Sequence, residues 1–230
     1  MSNAEPDNRL FYKIAERQGY HLFILFLLLF GVTAAGIFLP LSEGELFGIS
    51  SAAWFWGAVA AAIIHQFYTV IMWRLELYGR VLSGWLGENS FPIFKGFFAL
   101  FGLSRLLIIP LAISNRGTLE LPGIIQWGLS SILLILSAYL FYSVIRWFGI
   151  DRAAGLDHFK PKEAREWKFV NKGIFRFTSN GMYVYGFLFL WVPGLMLESA
   201  SANLAALFSH IYIWVHYYCT EKPDMKFIYS

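Results

Sequence analysis

Stretches of close to 20 residues with almost no charge recur along this chain, and they leave little choice of fold. Inside hydrocarbon every backbone N–H and C=O must be satisfied within the chain, so such stretches cross a bilayer as helices of about 20 residues. Spans are read at 20–41, 51–73, 92–113, 122–148, 181–198 and 202–219. The expected fold class is therefore all-α, a polytopic membrane helical bundle of six transmembrane helices ending in a helical hairpin. Composition agrees: 14% of the residues are charged, against about 25% in a soluble domain.

The placement of Lys and Arg sets the expected orientation. With the N-terminus in the cytoplasm, all of the 18 basic residues except Arg105 and Arg116 fall on that side, as the positive-inside rule requires. Both termini are then cytoplasmic, and the expected location is a bacterial inner membrane. The loop at 42–50 carries Glu43 and Glu45 and no base, as an outside loop should. A cleaved leader is the rival for the first span, but 20–41 is longer than an apolar leader core of about 7–15 residues.

The chain divides into an interfacial segment 1–19, a four-helix region 20–148, a basic cytoplasmic loop 149–180 and a hairpin with its tail, 181–230. Pro6–Asp7 is placed to start a helix whose face carries Leu10, Phe11 and Ile14. Pro161 is placed to open another through PKEAREWKFV, with Trp167 and Phe169 as interfacial anchors. The single cysteine, Cys219, excludes an internal disulfide and a cysteine-based metal cluster, and no metal site is expected. There is no GxGxxG element, so a soluble dinucleotide-binding domain is excluded. Charged rings and inverted repeats are missing too, which argues against a channel or carrier. Nothing points to a nucleic acid.

Polar groups at membrane depth are costly and mark candidate sites. In the second span these are His65 and Tyr68, with Arg74 at its exit, and all three are candidates for substrate binding. Interhelical hydrogen bonding is the bland alternative. Arg105 is expected to snorkel outward or to pair with Glu120 or Glu198. At the other end of the chain Pro223 cannot continue a regular helix, so the last span should stop near Glu221. A carboxylate at a helix C-terminus opposes the helix dipole, which calls for a cationic neighbour or a ligand with donors. His216 and Thr220 share one face there, and Tyr217 and Glu221 the next. So short a connection between the last two spans makes them antiparallel. That brings the turn GIFRFTSNGMY and the tail HYYCTEKPDM to one membrane surface.

Together, these two stretches resemble the C-terminal half of the phospholipid methyltransferase and isoprenylcysteine carboxyl methyltransferase superfamily. Gly173 and Phe175 match its Gly-x-Tyr turn, Tyr183 matches the tyrosine of its Arg-His-Pro-x-Tyr step, and Glu221 with Pro223 matches its Glu-x-Pro tail. Ser179, Asn180 and Gly181 stand where Arg, His and Pro are usual. The resemblance implies an integral membrane enzyme that moves a methyl group from S-adenosylmethionine to a lipid, most simply a phospholipid amine. It implies cofactor contacts from Asn180, Tyr183, Tyr217 and Glu221, with His216 and Glu221 as catalytic candidates. An NADPH-dependent sterol or polyprenyl reductase, and a non-catalytic relative that kept the fold, are the alternatives.

Overall fold

Residues 8–230 are described by the computed structural model, so the expected helix start at Pro6–Asp7 lies outside the described residues. Helix α1 (Asn8–Ala15) turns at Arg17, whose backbone is left-handed (φ 61), into α2 (Gln18–Ala35). A small hairpin follows, with β1 (Glu45–Leu46) antiparallel to β2 (Ile49–Ser50). Helix α3 (Ser51–Gly79) begins where the Ser50 hydroxyl accepts the Ala53 N–H, a standard N-cap. Arg80, again left-handed (φ 54), turns the chain into α4 (Val81–Leu86), α5 (Ser90–Ser104) and α6 (Ile108–Ser114). A π-helical stretch, Ile124–Leu129, leads into α7 (Ser130–Ser143), and a second, Val144–Phe148, ends it.

The protein is thus mostly helical, and four stretches are long and apolar enough to cross a membrane: Leu10–Ala35, Ser51–Gly79, Val81–Ser114 and Ile124–Phe148. Phe23, Phe26, Phe30, Leu103, Ile132 and Ile135 on their outer faces stay exposed. Such a continuous apolar surface calls for a lipid solvent.

The basic loop folds into α8 (Ile150–Ala153), α9 (Leu156–Phe159) and α10 (Pro161–Ala164). Pro161 opens α10 as expected, but the helix stops at Ala164 instead of running on to Val170. Ala164 is buried against Leu77 and Ile228, and Arg165 turns away to donate from Nε to the Ile228 carbonyl at 2.8 Å.

The C-terminal part consists of α11 (Gly181–Tyr185), a 3-10 turn at Leu188–Leu190, α12 (Trp191–Met196), α13 (Ala200–His216) and α14 (Lys222–Tyr229). The apolar run from Gly181 stops at Met196 and is shorter than the four long stretches. Its end is set by Glu198, which takes a left-handed backbone (φ 55) and accepts the Leu121 N–H at 3.3 Å. Helix α13 lies at the centre and packs on α2, α3, α6 and α12. Leu25, Phe55, Val59, Leu111, Phe208 and Tyr212 form the core where these helices meet.

Pro223 does not end the helix. The chain passes from α13 through a π-helical turn, Tyr217–Glu221, straight into α14. Proline leaves the carbonyls of the preceding turn without an N–H partner, and side chains supply one. Arg17 donates to Tyr218 O at 3.3 Å, while Gln18 and Arg74 donate to Cys219 O at 3.3 and 3.1 Å.

Arg74 does more than this. It is fully buried, and its Nε donates to both oxygens of the equally buried Asp224 at 3.2 Å. Its Nη1 donates to the carbonyls of Ile14 and Glu16 at 2.9 and 2.6 Å. Removing one partner of such a buried pair costs about 3–5 kcal/mol. Arg74→Met should therefore lower the thermal midpoint of the detergent-solubilised protein sharply. Arg74→Lys should recover little of it, because an ammonium lacks the planar fork. A lysine variant as stable as the parent would show that charge alone holds the tail.

Candidate functional site

A cavity of about 770 Å³ lies between α3, α7, the basic loop and the C-terminal helices, within the size range of ligand sites. The turn and the tail do meet here. Asn180 and Tyr183 on one side face His216, Tyr217 and Glu221 on the other, and His65 of α3 borders the same space. Tyr68 and Arg74 are not among the lining residues. Tyr68 stacks on Phe94 with ring centroids 5.5 Å apart and donates to the Phe94 carbonyl at 3.1 Å. The donors of Arg74 are committed to Asp224 and to backbone carbonyls.

Two close approaches need glycine, one beside the cavity's flank at Trp147 and one in its wall at Trp73. Gly173 has φ 56, and a Cβ there would fall 2.2 Å from the Trp147 ring. Gly155 has φ 84, and a Cβ would fall 2.4 Å from the Trp73 indole. Trp73 can therefore lie against the loop, stacked on His158 at 4.1 Å and reaching His216 at 5.6 Å. Tyr183 packs on Tyr217 at 4.9 Å and on Trp214 at 5.6 Å. The result is an aromatic wall beside the carboxyl group of Glu221. Its ring faces offer a favourable surface to a cation.

The loop contributes an acid–imidazole cluster that sequence reasoning treated only as part of a basic loop. His158 is buried, with Nδ1 2.9 Å from Asp157 Oδ1 and Nε2 3.6 Å from Asp224 Oδ2. Burial disfavours its charge, but the carboxylates of Asp157 and Asp224 outweigh that and push its pKa up to about 9. Asp224 thus serves Arg74, His158 and the Tyr78 hydroxyl (2.9 Å) at once. The adjacent Asp157–His158 pair was the available signal in the sequence. Its partner Asp224 is 66 residues beyond His158 along the chain, and only the fold brings them close.

Glu221 lines the same cavity within electrostatic reach of this cluster. Burial, with the nearby negative charges of Asp157 and Asp224, pushes its pKa up to about 8 against the opposing pull of His158. These surroundings favour its neutral form, and a cation beside it would favour the charged one. The fit to a cationic cofactor is carried by this set: aromatic faces at Tyr183 and Tyr217, carboxyl groups at Glu221 and Asp157, and a buried His216 Nδ1 without a partner.

These shifts give a pH prediction. Glu221 keeps a proton in the folded state that the unfolded chain releases above its ordinary pKa of 4.5, so its contribution to stability falls as pH rises from 4.5 to about 8. Glu221→Gln should be close to neutral near pH 5 and stabilising at about pH 8.5. His158, whose pKa is raised, contributes fully below 6.5 and loses that contribution as pH rises through about 9. His158→Asn should thus cost most at low pH. Melting curves of both variants across this range check the signs, and a Glu221→Gln variant without pH dependence relative to the parent would contradict the first.

No curated protein and no solved structure matches this chain. The model of the phospholipid methyltransferase family matches residues 125–230, the segment that carries Gly173, Tyr183, Glu221 and Pro223, in agreement with the superfamily those residues resemble.

Proposed function

We propose that the cavity is the active site of a membrane methyltransferase that moves a methyl group from S-adenosylmethionine to a lipophilic acceptor, most simply a phospholipid amine. One observation carries this reading: Asn180, Tyr183, Tyr217 and Glu221 come from separate segments of the family-matched region and line one space. S-adenosylmethionine, when bound, supplies an electrophilic methyl group on a sulfonium. Tyr183 and Tyr217 hold the cation against their ring faces, and Glu221 accepts hydrogen bonds from cofactor donors once it ionises. Asn180 occupies the place of the family histidine and offers an amide in its stead.

His216 is buried beside Trp73 and takes the proton that an amine must lose before it can act as a nucleophile. Holding the amine in line with the methyl group supplies much of the rate, because the displacement has one step and strict geometry. The acceptor enters sideways, past Phe98 and Gly102 on one flank and Leu140 and Phe141 on the other. The six-span arrangement, with both termini on the cytoplasmic face of a bacterial inner membrane, is part of the same proposal. It places the cavity's Glu221 end on the side where the cofactor is made.

Calorimetry with S-adenosylhomocysteine on detergent-purified protein tests the reading. Micromolar binding is expected, weakened about tenfold or more in Glu221→Ala through loss of charge-assisted hydrogen bonds. Absence of binding to folded protein would overturn it. Binding of NADPH in its place would favour the reductase reading, and binding of neither would favour the non-catalytic one. Where binding is found, transfer of a labelled methyl group to a lipid extract should fall at least a hundredfold in His216→Ala, within the usual range for loss of a general base.

A further inference from the structure

Two turns along α3 from Trp73, away from the loop cluster, His65 meets Arg105 at the border of the cavity. Eight residues of helix put this point about 12 Å from Trp73. Arg105 is 6% exposed. Its Nε donates to His65 Nδ1 at 3.3 Å, its Nη2 reaches the Ala62 carbonyl at 3.5 Å, and its guanidinium lies over the Phe187 ring at 5.1 Å. The carboxylates expected as its partners are not there. Glu198 accepts from the Leu121 backbone instead.

The bond to His65 settles the imidazole. Arginine has only donors, so Nδ1 is the acceptor and a neutral ring carries its proton on Nε2. His65 Nε2 and Arg105 Nη1 are both buried without a partner. A guanidinium at membrane depth normally finds an anion or a carbonyl, because an unpaired one is costly there. Here two N–H donors and one positive charge are left over, on residues that line one cavity. The complement is an oxyanion, since a guanidinium fork matches a carboxylate or a phosphate. The surrounding wall is apolar: His65 packs edge-on against Phe98 at 4.8 Å, and Phe187 lies under the guanidinium.

We propose that Arg105 and His65 form a subsite that holds the carboxylate or phosphate of an amphiphile whose hydrocarbon lies along the apolar wall of the cavity. This deepens the methyltransferase reading and rests on it in one respect, that the amphiphile is the methyl acceptor. On that basis the acceptor is an anionic lipid, and Arg105 determines its specificity.

The test is calorimetric titration of the detergent-solubilised full chain with dodecanoate, dodecyl phosphate, dodecanol and inorganic phosphate. The anionic amphiphiles should bind about tenfold or more tightly than dodecanol, the range for hydrogen bonds to a charged group. Inorganic phosphate should bind far more weakly than dodecyl phosphate. Arg105→Gln and His65→Phe should each lose the preference for the anion while S-adenosylhomocysteine affinity stays unchanged. Should Arg105→Gln fail to fold, His65→Phe and the parent's own ligand preference still decide. Equal binding of dodecanol and dodecanoate, or an anion preference that survives in Arg105→Gln or His65→Phe, would overturn the subsite. Inorganic phosphate as tight as dodecyl phosphate would overturn the amphiphile as its occupant. Loss of S-adenosylhomocysteine binding alone strikes the methyltransferase reading, and loss of the anion preference alone strikes the subsite.

Discussion

The guanidinium of Arg74 is the point on which the end of this bundle that carries the C-terminal tail depends. It reaches from α3 to the turn after α1, to the π-helical turn after α13 and to Asp224 in α14. Gln18 shares the Cys219 carbonyl and the Tyr78 hydroxyl shares Asp224, so the guanidinium is the common member of a small network. One planar group with several fixed N–H vectors meets these acceptors, which a flexible ammonium cannot do. The arrangement also explains how α14 continues past Pro223. The carbonyls that proline strands are taken up by Arg17, Gln18 and Arg74, so the helix bends through a π turn without ending. The tail is thereby folded back under the cavity, and Glu221 is carried on the turn that does it.

From that anchor the cavity acquires two chemically different ends. Near the loop, Asp157, Asp224, His158 and Glu221 crowd acids around one imidazole, so protons and cations control the local charge. Towards α5, Arg105 and His65 leave donors and a positive charge without an anion. On the proposed reading, a ligand that carries both signs would lie with one at each end of this otherwise apolar and aromatic space. The close approach that brings Trp73 into the wall depends on Gly155, where any side chain would collide with the indole. Phe98, Gly102, Leu140 and Phe141 add to the lining.

The membrane class of the protein was legible in the sequence because hydrocarbon imposes one rule on every residue of a span, and composition over 20 residues records it. The long helices at Ser51–Gly79 and Ile124–Phe148 were legible for this reason, with boundaries moved by a turn where interfacial residues stay helical. The convergence of Asn180, Tyr183, His216, Tyr217 and Glu221 was legible from the family likeness and from the short connection between α12 and α13. Tyr68 and Arg74 were read as substrate-binding candidates because polarity at membrane depth shows that a partner is needed and not which partner it is. Arg105 was matched with glutamates on the same argument, and it faces His65 and Phe187.

What the sequence determined by itself, then, was the solvent, the helical class and the set of residues capable of chemistry. Those follow from local rules: hydrocarbon length, periodicity and side-chain charge. Only the tertiary structure decided which polar groups satisfy one another and which are left over. Arg74 and Asp224, or His158 and Asp224, are far apart in the chain, and their pairing depends on helix rotation and axial register, which many packed contacts set together. The orphan donors of Arg105 and His65 have the same origin. A group is unpartnered only with respect to a complete set of neighbours, and that set exists only in the folded bundle.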